Sequence, residues 1–292
     1  MDHSKEIKVS IGLPTFNRAK LLGRAIDSII SQSFSDFELI VVDDGSADNT
    51  KEVVRAYKDT RIRYVLHDKN KGLMASRNTA LSESQGEYIA FQDSDDWWHR
   101  DFLEESLAIL EKTPDRVGGV HSRIEKQYRN GTQYSFPNFR ETRTEGNLLE
   151  LMLGGGYLIT LQAFVMKKMC FEQVGVFDED FRVFGDAEFI IRFAKHYEFV
   201  FNANTRAYLE VQEDSISRNK KGRLKAREML YQKHTPLFEK FPAAHAKYLS
   251  DLGWAFAKNG EKEKACLYVK SAAAIRPWRA DYWFRTLLSY LS

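Results

Sequence analysis

The chain is poor in residues that staple or interrupt a fold. Its 292 residues include two cysteines and six prolines. Cys170 and Cys266 stand far apart, with neither metal-ligand spacing nor disulfide-scaffold density, which fits a reducing compartment and ordinary packing for both. No stretch approaches the roughly 18 uncharged apolar residues that a membrane-crossing helix needs. The amino-terminal MDHSKEIK is polar and lacks the apolar core of a secretory leader, so a cytoplasmic protein is expected. Phosphate-binding signatures are missing too. No G-x-G-x-x-G follows the first strand-like segment, and no G-x-x-x-x-G-K-[ST] occurs, which disfavours dinucleotide and P-loop readings. A G-x-S-x-G elbow is also absent.

What remains is an ordinary globular composition, 43% hydrophobic and 29% charged, long enough to bury a large core. The net charge of +2 conceals an asymmetry. Residues 218–292 hold 16 Lys/Arg against 6 Asp/Glu, while residues 1–217 hold 27 against 35. A basic tail on an acidic body fits a solvated helical face or an anionic partner, such as a membrane surface or nucleic acid.

The first hundred residues alternate strand-like and helix-like segments. Ile7–Leu13 reads as a strand ended by Pro14, and Leu21, Leu22, Ala25, Ile26, Ile29 and Ile30 recur at helical spacing. FELIVV (Phe37–Val42) reads as a strand buried on both faces. Asp48-Asn49-Thr50 can cap a helix carrying Val53, Val54 and Tyr57. Ile62–Leu66, Gly72–Leu81 and Tyr88–Phe91 read as strand, helix and strand. Strands separated by single helices imply parallel pairing and an α/β sheet. Residues 118–134 read as β-like, the Gly154–Gly156 run precedes apolar LQAFVM, a helix follows Gly185-Asp186, and the chain turns helical and basic after Ser217.

Ligands of such sheets bind outside the carboxyl ends of the strands. Here strand one ends in PTFNR, strand two in DDGS and strand four in QDSDD, so polar and acidic clusters converge on one edge. Asp93, Asp95 and Asp96 repel one another unless a cation lies among them. Two carboxylates one residue apart suit Mg²⁺, which uses one or two carboxylates together with substrate phosphates. A capped turn would show the same composition. Asp43 and Asp44 carry the same ambiguity, between accepting from a base edge and capping the next helix.

Taken together, VSIGLPTFNR, FSDFELIVVDDGSADNT, NKGLMASRNTAL and GEYIAFQDSDDWW strongly resemble the family 2 glycosyltransferases of the GT-A fold. The resemblance continues through GVFDEDFRVFGDAEFIIR and covers roughly residues 7–217. It implies a mixed, mostly parallel sheet flanked by helices, a catalytic domain over 1–217 (nucleotide-binding half 7–98, acceptor-binding half 99–217) and a helical extension over 218–292. It also implies an inverting transferase that moves a sugar from a nucleotide sugar, most simply a UDP-sugar, to a hydroxyl of a glycan or lipid-linked acceptor, with Mn²⁺ or Mg²⁺ as cofactor. Nucleic acid is not an expected partner.

Residue by residue, the resemblance places Pro14, Thr15 and Phe16 around the uridine, with Arg18 and Ser94 completing the donor-binding set. Asp44 matches the uracil contact, with Asp43 beside it, and Arg77 matches a basic position near the nucleotide. Asp93 and Asp95 match the metal-binding DxD pair, Asp95 as the direct ligand, while Asp96 is expected to cap the following turn and the tryptophans to be structural. Asp186 matches the catalytic base, with Glu188 two and Arg192 six residues on. The residue before the base is often glutamate, whereas Gly185 stands here, which puts support of the base in doubt. Gln212 replaces a histidine that often contacts metal or phosphate. The seven histidines are expected mostly at the surface.

The extension contains LGWAFAKNGEKEKACLYVKSAAAIRP, with Leu252, Gly253, Phe256, Gly260, Ala265, Val269, Ala272 and Pro277 at the spacing of one tetratricopeptide repeat. One repeat cannot form a binding array, so a helical hairpin packed on the catalytic domain is expected over a peptide-binding module. RPWRADYWFRTLLSYLS and the basic SRNKKGRLKAR suit peripheral contact with an anionic membrane, or a helix that buries its tryptophans on the body. Two other classes stay open: a sugar-nucleotide nucleotidyltransferase, whose glycine-rich first loop is absent, and a non-catalytic helical scaffold.

Overall fold

In a computed structural model, residues 7–128, 131, 133–136, 143–155, 159–210 and 220–283 are described. β1 (Val9–Thr15) and β2 (Phe37–Asp43) are buried at every position, as runs of apolar residues covered on both faces must be. Helices α1 (Ala19–Ile30), α2 (Thr50–Ala56) and α3 (Leu73–Glu83) connect β1, β2, β3 (Ile62–Leu66) and β4 (Tyr88–Phe91) in sequence. β1 pairs in parallel with β2 and β4, and β2 with β3, so four carboxyl ends share one edge. Leu22, Ala25, Ile26 and Ile29 of α1 pack into the core with Val9, Ile11, Leu39 and Val41.

Pro14 does not end β1; the strand runs on to Thr15. The Gly12 carbonyl accepts from Gln92 N, so the backbone groups of Gly12 and, two residues on, of Pro14 face β4. β4 stops opposite Gly12, at Phe91, and the N–H that proline lacks would have no strand to meet.

Beyond β4 come the two-residue β5 (Trp97–Trp98), α4 (Phe102–Leu110), β6 (Val117–Gln127), β7 (Gln133–Phe136), α5 (Leu149–Leu153), β8 (Phe164–Lys167), α6 (Phe171–Val174), α7 (Gly185–His196) and β9 (Glu198–Glu210). The sheet order is β3-β2-β1-β4-β8-β6-β9-β5, with β7 paired to β6. β8 runs antiparallel to β4 and β6, which makes the sheet mixed. Two buried histidines depart from the surface expectation, each because a partner meets a ring nitrogen: His121 Nε2 lies 2.8 Å from the Thr144 carbonyl and His245 Nε2 lies 3.1 Å from the Tyr231 hydroxyl.

The chain divides into two units, Met1–Asn147 with Ile159–Glu213, and Leu148–Leu158 with Asp214–Ser292. Within the second, α8 (Lys220–Phe238) precedes α9 (Pro242–Lys258) and α10 (Lys262–Ile275), and Lys247 Nζ donates to the Gly154 carbonyl at 2.7 Å. That bond ties the α5 segment to the later helices. α9 and α10 form a hairpin whose buried faces carry Leu252, Gly253, Phe256, Ala265, Val269 and Ala272. A Cβ at Gly253 would stand 2.9 Å from the Ala265 carbonyl oxygen, so a glycine lets the helices touch. Among the described residues no helix is long and apolar enough to cross a membrane.

Candidate active site

The carboxyl-end loops of β1 and β2 are laced together. Asn17 N donates to Ser46 Oγ at 2.9 Å, and Ala47 N donates back to Asn17 Oδ1 at 2.8 Å. Asn17 and Phe184 are the non-glycine residues with positive φ among those described, at 53° and 65°. One lies in PTFNR and the other directly precedes the helix of Asp186, which fits the tendency of backbone strain to gather at functional sites. Pro14 and Thr15 are buried, Arg18 is half-buried, and Phe16 presents its ring to solvent.

Asp43 and Asp44 are both buried and held in different ways. Asp43 accepts from the Tyr64 hydroxyl at 2.6 Å and from Ser46 N at 2.8 Å. Asp44 accepts from the amides of Lys71 and Gly72 at 2.8 and 2.7 Å, and its Oδ1 lies 2.7 Å from His67 Nδ1. His67 is buried, and its Nε2 lies 2.9 Å from Thr79 Oγ1, a third departure from the surface expectation. Gly72 sits at φ 101°, a conformation that other residues adopt only under strain, and so turns its amide onto Asp44. Asp44 thereby fastens β2 to the start of α3, and a carboxylate with about four acceptor positions retains one.

Arg77 of α3 is the centre of the site. Its side chain is 0% exposed; one terminal nitrogen donates to Asp93 Oδ1 at 2.9 Å, and the other to Asp186 Oδ1. Burial works against its charge, yet Asp186 and Asp93 hold its pKa above the ordinary arginine value. The next residue, Asn78, donates to the Phe177 carbonyl at 2.9 Å and accepts from Phe177 N at 2.8 Å. One turn of α3 therefore positions both the acidic loop after β4 and the segment that leads to α7. Asn78 was not singled out from the sequence; a lone asparagine on a helix carries no signal there.

Asp186 lies in the first turn of α7, where the helix dipole favours a carboxylate. Burial pushes its pKa up, Arg77 opposes the rise, Asp93 adds to it, and the balance is upward. Arg192 does not reach Asp186. It forks onto Glu188 at 2.8 to 3.1 Å and donates to the carbonyls of Val174 and Val176, clipping that turn to α7. Gly185 has a steric cause: a Cβ there would collide with the Met74 side chain.

The oxygens of Asp93, Asp95 and Asp96 lie within 4.8 Å of one another. Both Asp93 oxygens are engaged, Oδ1 by Arg77 and Oδ2 by the Gln162 carboxamide. Asp96 does not serve the turn after it. It is buried and accepts the Glu210 amide at 3.2 Å, fixing the end of β9. Burial, with Asp93 and Asp95 beside it, pushes its carboxyl well above the usual range. Asp95 is half-buried, its backbone carbonyl accepting from Arg24 at 2.7 Å, and Ser94 is buried. An all-oxygen set with one carboxylate crowded toward neutrality fits a small hard cation. Trp98 is buried, donating its indole N–H to the Gln162 carbonyl at 2.6 Å, and Trp97 stacks on Tyr208 and under Arg24. Gln212 lies outside the described residues. A concavity lined by Glu87, Tyr88, Glu111 and Lys167 lies at the opposite end of β4, away from these groups.

A mixed, mostly parallel sheet flanked by helices, with an aspartate cluster, a buried arginine and a helix-borne aspartate gathered at its carboxyl edge, has the GT-A fold. More narrowly, the sequence profile of Glycosyl transferase family 2 matches residues 10–171, and the chain belongs to that family. A Campylobacter jejuni relative, GalNAc(5)-diNAcBac-PP-undecaprenol beta-1,3-glucosyltransferase, is 31% identical over 228 residues, 72% of this chain and 67% of the other. Among solved structures, S. aureus TarS 1-349 in complex with UDP-GlcNAc is similar with a TM-score of 0.74 at 18% identity, over 97% of this chain and 89% of that one. The Pyrobaculum calidifontis mannosyltransferase PcManGT, in complex with GDP-Man and Mn2+, is similar with a TM-score of 0.64 at 21% identity, over 97% and 84%. The chain spans about a fifth of the length of the rickettsial glycosyltransferases that it matches at 32% to 41% identity.

Proposed function

We propose that the chain transfers a sugar from a UDP-sugar, with inversion, to a hydroxyl of a glycan or lipid-linked acceptor in surface polysaccharide assembly. The observation that carries this reading is Arg77, which bonds the acidic loop with one arm and Asp186 with the other. With Oδ1 of Asp186 engaged, Oδ2 is the oxygen left to take the acceptor proton. As that proton moves to Asp186, the acceptor oxygen bonds to the anomeric carbon and the bond to the diphosphate oxygen breaks. One base and one displacement give inversion. The loops at Pro14–Arg18 and Asp43–Asp44 would hold the uridine, and Ser94 would lie beside the diphosphate.

Asp95, with Asp93, would hold Mn²⁺ or Mg²⁺, which when bound supplies positive charge to a departing diphosphate. The C. jejuni relative is named for a PP-undecaprenol substrate, which favours a lipid-linked acceptor. A peripheral membrane position on the cytoplasmic side follows from that acceptor. Trp278 and Trp283, 70% and 50% exposed beside Arg276 and Arg279, would make the contact. Residues 284–292 of that tail lie outside the described residues.

The test is UDP release from UDP-glucose, UDP-galactose and their N-acetyl counterparts, with Mn²⁺ and with chelator. One donor should turn over, Asp186→Asn should lower the rate about 10³-fold, and Asp95→Asn should lose the turnover that Mn²⁺ supports in wild type. Release that Asp186→Asn leaves intact overturns the reading. Retained vesicle binding after deletion of residues 276–292 overturns the membrane contact.

A further inference from the structure

Gln162 lies in none of the motifs by which the sequence resembles its family, yet it reaches the centre of the site. It stands in a short 3-10 turn, Leu161–Ala163, directly before β8. Its carboxamide nitrogen donates to Asp93 Oδ2, its backbone carbonyl receives the Trp98 indole N–H at 2.6 Å, and the residue is 8% exposed. A carboxylate only accepts, so the amide nitrogen must face Asp93. The amide oxygen is left buried with no hydrogen-bond partner among the described residues. An unpartnered buried acceptor is unfavourable, so the position of this side chain is set by its bond to Asp93.

From Gln162 a run of charge-assisted hydrogen bonds crosses the site: Gln162 to Asp93, Asp93 to Arg77, Arg77 to Asp186. Every link joins a different element, from the turn before β8 to the loop after β4, then α3, then α7. A guanidinium is a rigid planar fork, so the direction of one arm fixes the direction of the other. Asp93, held on both oxygens, cannot rotate without breaking a bond. Its orientation fixes the plane of Arg77, and that plane fixes which oxygen of Asp186 is turned away from the fork.

We propose that Gln162 is a positioning residue for sugar transfer, acting through Asp93 and Arg77 on Asp186. This rests on the reading of Asp186 as the base. Loss of the Gln162 amide frees Asp93 Oδ2, loosens Arg77 and blurs the aim of Asp186, while Asp95, read as the direct cation ligand, keeps its place. The loss is therefore in turnover and not in donor affinity.

The experiment compares wild type, Gln162→Met, Asp93→Asn and the double variant by UDP release from the donor that supports turnover. Mn²⁺ with UDP is titrated calorimetrically in each. Gln162→Met should lower kcat about tenfold while KM for the donor and the affinity for UDP with Mn²⁺ stay within about twofold. In the Asp93→Asn background the same substitution should have no further effect on kcat, since the relay is already cut. Trp98→Phe keeps an aromatic ring against Phe102 and removes the N–H to the Gln162 carbonyl along with part of the indole, so it should show the same split at smaller size, and it serves if Gln162→Met does not fold. Unchanged kcat in Gln162→Met or Trp98→Phe, or effects that simply multiply with Asp93→Asn, overturn the relay alone. Wild-type protein that turns over no nucleotide sugar overturns both the relay and the reading it rests on.

Discussion

Replacing Arg77 by methionine removes the charge and keeps much of the volume. The buried guanidinium balances two carboxylates, Asp93 and Asp186, whose side chains are 23% and 27% exposed. Breaking one side of a buried pair typically costs 3–5 kcal/mol, and partial access to water favours the low end, about 3 kcal/mol. For a domain of this size that corresponds to a melting shift of roughly 6–12 °C. The loss should depend on pH, and the sign follows from linkage. Without Arg77 the main opposition to the burial that raises Asp186 is gone, so its folded pKa moves further above the unfolded value of about 4. Such a group contributes stability that is fully present below its unfolded pKa and is lost as pH rises through the folded pKa. Urea unfolding of the two proteins with chelator present should therefore show a larger gap at pH 8 than at pH 5. Adding Asp186→Asn to Arg77→Met should recover part of the gap at pH 8. A gap equal at both pH values would mean that Arg77 acts by packing alone and would refute the electrostatic account.

Three further outcomes follow from the same geometry. Turnover should fall on the acid side as Asp186 protonates, with a midpoint above the ordinary aspartate range; a pH-rate profile flat down to pH 4 would contradict this. Burial lowers His121 to about 4 from 6.5, so its contribution is present above pH 6.5 and is lost as pH falls toward 4, about 3 kcal/mol in all. His121→Leu should flatten that part of the acid limb in urea unfolding. Gly185→Glu, which restores the residue common in the family, should destabilise by about 1–3 kcal/mol through collision with Met74, and Met74→Ala should relieve it.

The alternation of strands and helices was legible because β2 and β4 are short apolar runs and α1 repeats its apolar residues every three or four positions. Pro14 misled because a proline ends a strand only where its missing N–H is needed, and that depends on where β4 stops. The acidic loops were legible as clusters of like charge at strand ends. Their partners were not: Tyr64, His67, Asn78 and Gln162 are isolated polar residues in local sequence, and they acquire meaning only from what stands opposite them. Arg192, six residues after Asp186, kept the family spacing yet pairs with Glu188, because residues four apart lie on one helix face and residues six apart do not.

The sequence by itself determined which segments of the first hundred residues would be buried, that the first four strands would run parallel, and that carboxylates would collect along one edge, since hydrophobic period and short crossovers leave few alternatives. Only the tertiary structure decided how those carboxylates are used. Arg77 lies 16 residues from Asp93 and 109 from Asp186, and no local pattern encodes the angle at which α3 brings them together. Charge pairing inside a fold acts over a few ångströms of space, and separations along the chain do not report them.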